Sequence, residues 1–206
     1  MRMTVGAGLA SDRAGFADAI PGQSVSLFDA EAGIWQLETE RLLLRPLTPT
    51  DFDALYKAVF GDPDVNWTGT IRPRRQARKS LDKLEHVRRH GFGMLAVVER
   101  SSGDVIGYAG LQHLEDGSDV EVGYYLGRRA WGRGLGTEVA EALVRAGFER
   151  LGLERIVAVV RPGNEASKRV LDKAGLHFAE HGYYYDTDVE LWAIAAATHR
   201  QIRQAS

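Results

Sequence analysis

A strand, a glycine-rich loop and an amphipathic helix follow one another between residues 119 and 151. The loop "GRRAWGRGLG" (127–136) contains four glycines and three arginines, and the segment 137–151 repeats apolar residues at helical spacing. Backbone N–H groups in the first turn of a helix have no acceptor within the helix, and the helix dipole makes that end partially positive. Because glycines let a ligand approach those groups closely, the segment predicts a site for a phosphate or pyrophosphate.

The residues around the glycines restrict which phosphate carrier fits this loop. A nucleoside-triphosphate P-loop ends in Lys-Ser/Thr, whereas here Gly136 is followed by Thr137 and Glu138. A dinucleotide-binding loop follows the first strand of a βαβ unit, whereas this loop follows a predicted β-meander. Considered alone, the loop is compatible either with another phosphate ligand or with a flexible turn that has a solvated basic rim.

The remaining segments predict a mixed β-sheet with helices on its faces. Thr48, Pro49 and Asp51 form a capping box with proline at the first helical position, so we expect a helix that begins here and ends at Gly61. The predicted strands are 41–47, 92–100, 104–114, 119–126 and 155–162, followed by a hairpin over 176–196, and the predicted helices are 48–60, 73–90, 137–151 and 164–175. This alternation indicates an α/β (α+β) domain.

Length and composition indicate one globular domain. The chain has 206 residues, of which 44% are apolar and 26% charged, as in ordinary globular proteins. We expect the domain to cover 35–198. It follows an extension over 1–34 that we predict to be flexible, and it precedes a C-terminal tail over 199–206.

Charge and residue usage exclude several function classes. The net charge of −2 gives no global attraction to nucleic acid or to an anionic membrane. The absence of cysteine excludes disulfides and thiolate chemistry, and the six histidines lack metal-ligand spacing, so we assign no metal. Since the chain has neither a bilayer-length apolar run nor a signal-peptide pattern, we expect a cytoplasmic protein.

Two longer stretches resemble a known family. The sequence "DVEVGYYLGRRAWGRGLGTEVAEALVRAGFERLGLERIVAVVRPGNEASKRVLDKAGL" (119–176) resembles the GNAT family of N-acetyltransferases, and "LETERLLLRPLTPTDFDAL" (37–55) resembles the start of its Rim-type group. That group acetylates ribosomal-protein N-termini. The resemblance covers about 37–194. It implies a single domain with a mixed, mostly antiparallel sheet that is splayed at the coenzyme slot, with helices on both faces.

The resemblance also implies where the coenzyme binds. The family's pyrophosphate loop, Gln/Arg-x-x-Gly-x-Gly/Ala, aligns with Trp131, Gly134 and Gly136, and tryptophan at the first position is typical of the Rim-type branch. The pantetheine arm of acetyl-coenzyme A is then expected beside the strand that ends at Leu126, with Gly123 as the place where that strand bulges and splays. The expected coenzyme-binding residues are Leu126, Arg128, Arg129, Gly132, Arg133, Gly134, Leu135, Gly136, Thr137, Asn164 and Lys168.

Acetyl transfer from a thioester to an amine requires a base, a donor to the oxyanion and an acid for the leaving thiolate. Glu121 and Asp119 share one face of their strand, and Glu121, nearer the splay, is our candidate base, acting through water. The alternative is that both carboxylates solvate an exposed strand face. The resemblance implies the backbone N–H near Tyr124 as the oxyanion donor.

The sequence indicates the acid that protonates the leaving thiolate less clearly than it indicates the base. Many GNAT members have a tyrosine seven residues after the position of Asn164, where this chain has Leu171. Resemblance to Rim-type enzymes instead implies the hydroxyl of Ser167, which is otherwise an ordinary helix N-terminal serine. Asn164 is either a coenzyme ligand or a plain helix cap. The tyrosines at 183–185 border the acceptor cleft in the family, as an alternative acid, a substrate wall or packing.

The expected function is therefore an acetyl-coenzyme A-dependent N-acetyltransferase that acts on a primary amine, either a protein N-terminus or a small molecule, in a ternary complex. A non-catalytic acyl-coenzyme A-binding or regulatory module is the alternative, because the usual tyrosine is replaced by Leu171. Nucleic-acid binding through the basic segment 72–90 is disfavoured by the near-neutral total charge. The acceptor and the oligomeric state, monomer or homodimer, stay open.

Overall fold

The computed structural model describes residues 36–65, 69–79, 90–115 and 117–205. These residues form one eight-stranded sheet in the order β1-β2-β3-β4-β5-β6-β8-β7. The strands are β1 (Leu37–Glu38), β2 (Leu42–Pro46), β3 (Met94–Glu99), β4 (Val105–His113), β5 (Val120–Leu126), β6 (Arg155–Val160), β7 (His177–Tyr184) and β8 (Thr187–Ala195). The predicted extension over 1–34 and the predicted helical segment 80–89 lie outside the described residues.

Helices accompany the sheet in the described part of the chain, and a 3₁₀ turn, Arg128–Ala130, lies in the glycine loop. The first helix, α1, joins three contiguous stretches, Pro49–Asp51, Phe52–Leu55 and Tyr56–Phe60. The others are α2 (Arg74–Lys79), α3 (Leu135–Glu149), α4 (Glu165–Lys173) and α5 (Ala196–Ala205). The capping box predicted at the start of α1 is present, with the Asp51 carboxylate accepting from the Thr48 N–H at 2.7 Å.

The sheet opens between β5 and β6, which form its parallel pair. These strands are paired at two positions only, Val120 with Ile156 and Glu121 with Val157, whereas β6 stays paired with β8 through Val160. The remaining part of β5 therefore lines a slot, here called the β5–β6 slot. The predicted bulge at Gly123 is absent, because the register between β4 and β5 runs without interruption through Gly110 and Gly123. The strands splay because their pairing ends, without an inserted residue.

Helices cover both faces of the sheet, as predicted. On one face, side chains such as Leu111 and Val122 pack with α3 and α4 in the main core. On the other face, Met94 and Tyr108 pack with α1 in a second cluster. The face covered by α3 and α4 is here called the α3 face, and the face covered by α1 is called the α1 face. Because successive side chains of a strand point to opposite faces of the sheet, β5 contributes side chains to the β5–β6 slot on both of these faces.

The C-terminal residues differ from the expected tail. The chain from Ala196 onward forms α5, and its His199 ring lies 4.9 Å from the Phe148 ring on α3. Arg203 also donates to the Glu149 carboxylate at 2.5 Å. Alanine, glutamine and arginine are good helix formers, and these contacts to α3 give the short helix the tertiary support that its composition does not reveal.

Candidate active site

The glycine loop leads into the N-terminus of α3, with Gly134 as the residue before its first turn. After β5, the loop reaches α3 through Gly132 and Gly134, whose φ angles of +71° and +76° lie in the left-handed region that favours glycine. The first i to i−4 hydrogen bond of α3 is from the Glu138 N–H to the Gly134 carbonyl, at 3.1 Å. The N–H groups of Leu135–Thr137 precede that bond and are therefore available to an anion.

Two of the loop's three arginines form ion pairs across the molecule. Arg128 donates to Asp62 at 2.7 Å and to Asp64 at 3.0 Å, and Arg133 pairs with Glu99. The Arg133 guanidinium lowers the pKa of the Glu99 carboxyl. The exposed basic rim predicted from the sequence is therefore partly neutralised by carboxylates from distant segments, which no local pattern indicates.

The first turn of α3 is anchored by residues that sequence analysis did not identify. The Glu138 carboxylate accepts from the Thr39 hydroxyl at 2.5 Å and from the Arg41 backbone N–H and Nε, at 2.9 and 2.7 Å. Arg41 also donates to the Arg133 carbonyl at 2.8 Å. Although burial acts in the opposite direction, the hydrogen bonds from Thr39 and Arg41 lower the pKa of Glu138. Arg41 thus ties the loop backbone to the α3 helix that follows it.

Trp131 connects the loop to the mouth of the β5–β6 slot. Its indole Nε1 donates to the carbonyl of Leu126, the last residue of β5, at 2.8 Å, and half of its side chain is exposed. The tryptophan therefore fixes the loop against the end of the strand.

Hydroxyl groups from β5 and α4 meet on the α3 face. The Tyr124 hydroxyl lies 2.8 Å from Ser167 Oγ, and burial raises the pKa of Tyr124 to about 12. Asn164 Oδ1 accepts from the Ser167 N–H at 3.1 Å, so this side chain caps α4. The sequence singled out Ser167 and the Tyr124 backbone, and the structure adds the Tyr124 phenol as a contact of Ser167.

Glu121 lies on the α1 face at the last β5–β6 pair, where the slot begins. Its side chain is only 4% exposed, so the alternative of a solvated strand carboxylate is wrong for this residue. Its Oε2 accepts from the Tyr185 hydroxyl at 2.5 Å. Asp119, the second carboxylate on this face, is partly exposed and pairs with Arg155 at 3.0 Å.

Lys168 has acidic partners of its own. Its ammonium lies 2.7 Å from Glu190 on β8 and 3.0 Å from Glu165. The hydrogen bond to Glu190, and to a smaller extent that to Glu165, raises the pKa of Lys168. The expectation that Lys168 reaches the coenzyme would require it to leave or share these pairs.

The described ranges contain no group of three or more histidine, cysteine, aspartate or glutamate residues that could hold a metal ion. Within the same ranges, no helix has the length and apolar character needed to cross a bilayer.

A family model for the acetyltransferase (GNAT) domain matches residues 41–177. The chain belongs to the GNAT family. Among curated proteins, it is 32% identical over 155 residues to the uncharacterized N-acetyltransferase p20 of Bacillus licheniformis, which covers 73% of this chain and 85% of that protein. It is also 30% identical over 149 residues to the uncharacterized protein YkkB of Bacillus subtilis, which covers 70% of this chain and 87% of that protein.

Solved acetyltransferase structures have the same fold. The acetyltransferase of Agrobacterium tumefaciens superposes with a TM-score of 0.69 at 26% identity, over 88% of this chain and 98% of that one. The aminoglycoside acetyltransferase AAC(6')-Ib in complex with coenzyme A has a TM-score of 0.66 at 20% identity, over 79% and 99%. RimL, a ribosomal L7/L12 alpha-N-protein acetyltransferase in complex with coenzyme A, has a TM-score of 0.63 at 20% identity, over 76% and 95%. These similarities confirm the predicted fold class.

The chain has leucine at position 171, where many GNAT members have tyrosine. Leu171 is 1% exposed and packs in the main core. A phenol is nevertheless present on the same face, because Tyr124 reaches α4 from β5 and meets Ser167.

Proposed function

We propose that the protein is an acetyl-coenzyme A-dependent N-acetyltransferase that binds the coenzyme in the β5–β6 slot and acetylates a primary amine in a ternary complex. The observation that carries the proposal is the slot itself: β5 and β6 part after Glu121 and Val157. One end has the N–H groups of α3, and the buried Glu121 lies on the opposite face. The coenzyme complexes of similar GNAT structures and the N-acetyltransferase relatives support it.

The residues of the loop fit a pyrophosphate. The N–H groups over Arg133–Thr137 would hold its oxygens, since the left-handed glycines present the start of α3 without covering side chains. Arg128, Arg129 and Arg133 would contribute charge at the rim, and for Arg128 and Arg133 this requires exchange with their carboxylate partners. The backbone of β5 up to Leu126 would lie beside the pantetheine arm, like a neighbouring strand.

The candidate catalytic residues divide between the two faces. Glu121 would accept, through water, a proton from the ammonium form of the acceptor, which leaves the nitrogen lone pair free to attack the thioester carbonyl carbon. As the new C–N bond forms and the C–S bond breaks, the Tyr124 backbone N–H would donate to the oxyanion. The Ser167 hydroxyl, hydrogen-bonded to the Tyr124 phenol, would protonate the leaving thiolate. It would regain a proton from water, and the proton that the new amide nitrogen loses would return to that water.

The proposed acceptor is specified only as a primary amine, on a protein N-terminus or on a small molecule. Trp131 and the start at 37–55 favour the Rim-type branch, which would make the acceptor a protein N-terminus. RimL and the aminoglycoside acetyltransferase are equally distant from this chain, at 20% identity, so these neighbours do not distinguish a protein amine from a small-molecule amine. Both acceptors are therefore retained in the proposal, and cytoplasmic location and homodimer formation stay predictions from the sequence.

A thiol-release assay tests this function. The full chain would be incubated with acetyl-coenzyme A and a panel of amines, containing short peptides with free N-termini and aminoglycosides, while free thiol is measured. We expect acceptor-dependent release, with mass spectrometry showing one acetyl group on the acceptor. Calorimetric titration with coenzyme A gives the complementary measurement of binding.

A non-catalytic acyl-coenzyme A-binding module is the second candidate, favoured by the buried Leu171 at the position of the usual acid. It predicts coenzyme binding in the calorimeter without thiol release for any amine of the panel. If coenzyme A does not bind at all, both proposals are wrong.

A further inference from the structure

The turn between β7 and β8 has an unusual backbone. Tyr184 and Thr187 close a two-residue hairpin turn, and the two residues between them, Tyr185 and Asp186, have φ angles of +53° and +58°. Such turns favour Asn-Gly or Asp-Gly, because both central residues must be left-handed. A tyrosine in this conformation is a source of backbone strain, which persists where surrounding contacts compensate for it and is concentrated at functional sites.

Contacts on both sides of Tyr185 hold it in this conformation. Its backbone N–H donates to Glu115 Oε1 at 2.8 Å, and Glu115 is itself left-handed, with a φ of +49°. The Tyr185 ring packs against a small buried cluster that contains Leu114, Val157 and Leu191. The strained turn therefore directs this side chain under the sheet, toward the start of the β5–β6 slot.

The Tyr185 hydroxyl lies between two polar groups of adjacent strands. It donates to Glu121 Oε2 at 2.5 Å and accepts from Gln112 Nε2 at 3.3 Å. Gln112 is directly opposite Glu121 in the register of β4 and β5. Burial, and then the negative charge of Glu121, raise the pKa of Tyr185 above its ordinary value of 10.0. The hydroxyl therefore stays protonated at neutral pH and acts as the donor to the carboxylate.

The second carboxylate oxygen of Glu121 is directed along β5. A Cβ atom placed on Gly123 would be 3.7 Å from Glu121 Oε1. This oxygen therefore lies beside Gly123, the next residue on the same face of β5, which is beyond the pairing of β5 with β6. The Tyr185 hydroxyl contacts Oε2, the other oxygen of the same carboxylate.

We propose that Tyr185 is a positioning residue for Glu121: its hydroxyl orients the carboxylate and stabilises its charge, so that the carboxylate is placed to take the proton of the acceptor amine through water. This inference rests on the proposed function, in which Glu121 is the base. The β7–β8 turn would then orient the base, because Tyr185 is one of its two central residues.

Several titratable groups from neighbouring elements contribute to the local field. Among the described residues, those that act electrostatically on the Glu121 and Tyr185 pair, or on the ring beside it, include Tyr125 on β5, Tyr108 on β4, Arg72 before α2 and Glu115 after β4. Burial raises the pKa of Tyr125 well above 10.0 and also raises that of Tyr108, so neither phenol titrates near neutral pH. The Glu115 carboxylate contacts the backbone N–H of Tyr185, which Tyr185→Phe keeps, whereas the hydroxyl contacts Glu121. We therefore attribute to Glu121 an acidic limb that moves when the Tyr185 hydroxyl is removed.

The test compares Tyr185→Phe, which keeps the ring and removes the donor, with Tyr56→Phe, the same change in a partly buried tyrosine of α1. The full chain would be labelled with ¹³C at the glutamate carboxyl carbon, and the Glu121 signal identified by its loss in Glu121→Gln. Loss of a donor to the charged form makes ionisation harder. We expect the NMR titration midpoint of Glu121 to move to higher pH in Tyr185→Phe and to stay in place in Tyr56→Phe.

Kinetics give a second readout that a merely structural role would not produce. With acetyl-coenzyme A and the amine that reacts fastest, we expect Tyr185→Phe to lower kcat by about ten-fold. The acidic limb of its pH–rate profile should move to higher pH, while KM for acetyl-coenzyme A stays within about two-fold because no coenzyme contact is lost.

The two readouts separate the inference from the proposed function. An unchanged Glu121 titration in folded Tyr185→Phe overturns the inference, whatever the activity. A shifted titration in a chain that transfers no acetyl group supports the contact and contradicts Glu121 as an acetyltransferase base. If Tyr185→Phe does not fold, 3,5-difluorotyrosine incorporated at position 185, a stronger donor, should move the midpoint to lower pH. An unmoved midpoint in that protein also overturns the inference.

Discussion

The two faces of the sheet at the β5–β6 slot are built in different ways. On the α3 face, the proposed pyrophosphate site comes from one contiguous segment, 127–137, and uses mainly backbone N–H groups. On the α1 face, the candidate base Glu121 is held by Tyr185, 64 residues away in the sequence, through side chains alone. Backbone sites follow from local glycine patterns, whereas side-chain sites depend on how distant strands are brought together. The expected effects of mutation should differ accordingly.

The largest effect is expected for the carboxylate on the α1 face. We predict that Glu121→Gln lowers kcat by about 100-fold or more, because general-base catalysis contributes about that much, while the Kd for coenzyme A is unchanged. Steady-state kinetics and calorimetry check the two halves of this prediction. Asp119→Asn is the matched control, since Asp119 is a partly exposed carboxylate paired with Arg155. Equal losses in both variants would contradict the assignment of the base.

A smaller effect is expected for the hydroxyl pair on the α3 face. We predict that Ser167→Ala and Tyr124→Phe each lower kcat by about ten-fold. Because the two hydroxyls are 2.8 Å apart, the double variant should lose less than the product of the two single losses. A double-mutant cycle on kcat measures this coupling. Strictly multiplicative losses would show that the hydroxyls act independently.

The backbone site is tested by a glycine that requires a left-handed conformation. In Gly134→Ala, the positive φ costs about 1–2 kcal/mol, and relaxation of the loop would displace the N–H groups of α3. We expect the Kd for coenzyme A to rise by about ten-fold, with kcat at saturating coenzyme nearly unchanged.

Gly103→Ala controls for stability in this comparison. Gly103 has a φ of +74° at the turn between β3 and β4, and a Cβ there meets no atom within 4 Å. Chemical denaturation should show a similar loss of stability in both variants, with coenzyme affinity retained in Gly103→Ala. Equal loss of affinity would indicate a general effect of destabilisation.

The smallest effect is expected for the anchor of α3. Hydrogen bonds lower the folded-state pKa of Glu138 below its ordinary value of 4.5, so its contribution to stability is present above that value and is lost as pH falls through the folded pKa. The stability difference between the wild-type protein and Glu138→Gln should therefore shrink as pH is lowered from about 5. Urea denaturation at several pH values measures this, with the exposed Glu154→Gln as the control. A pH-independent difference would contradict the prediction.

Local patterns predicted much of the fold. The capping box at Thr48 and Asp51 forms as expected, and Asn164 caps α4, because caps depend on residues three positions apart in the chain. The C-terminal helix α5 was missed, since its contacts to Phe148 and Glu149 come from α3, far away in the sequence.

Within the candidate site, the features that could be predicted are those that depend on residues close together in the sequence. The loop, Ser167 and Glu121 were identified from spacing and family resemblance. The partners of the loop arginines, the Glu138 anchor and the Tyr185 contact were not, because each joins segments separated by at least 34 residues. No local periodicity encodes which carboxylate meets which donor at such separations.

The sequence by itself predicted a helix directly after the glycine loop, because helix propensity and left-handed glycines act within a few residues. The predicted range was 137–151, and α3 begins two residues earlier, at Leu135. The sequence also determined the family of the chain. Only the tertiary structure decided where the sheet opens, that Glu121 is buried, and which tyrosine reaches it. Those features arise when β5 loses its pairing with β6 and the β7–β8 turn folds beneath it, and both events depend on packing between segments that are distant in the chain.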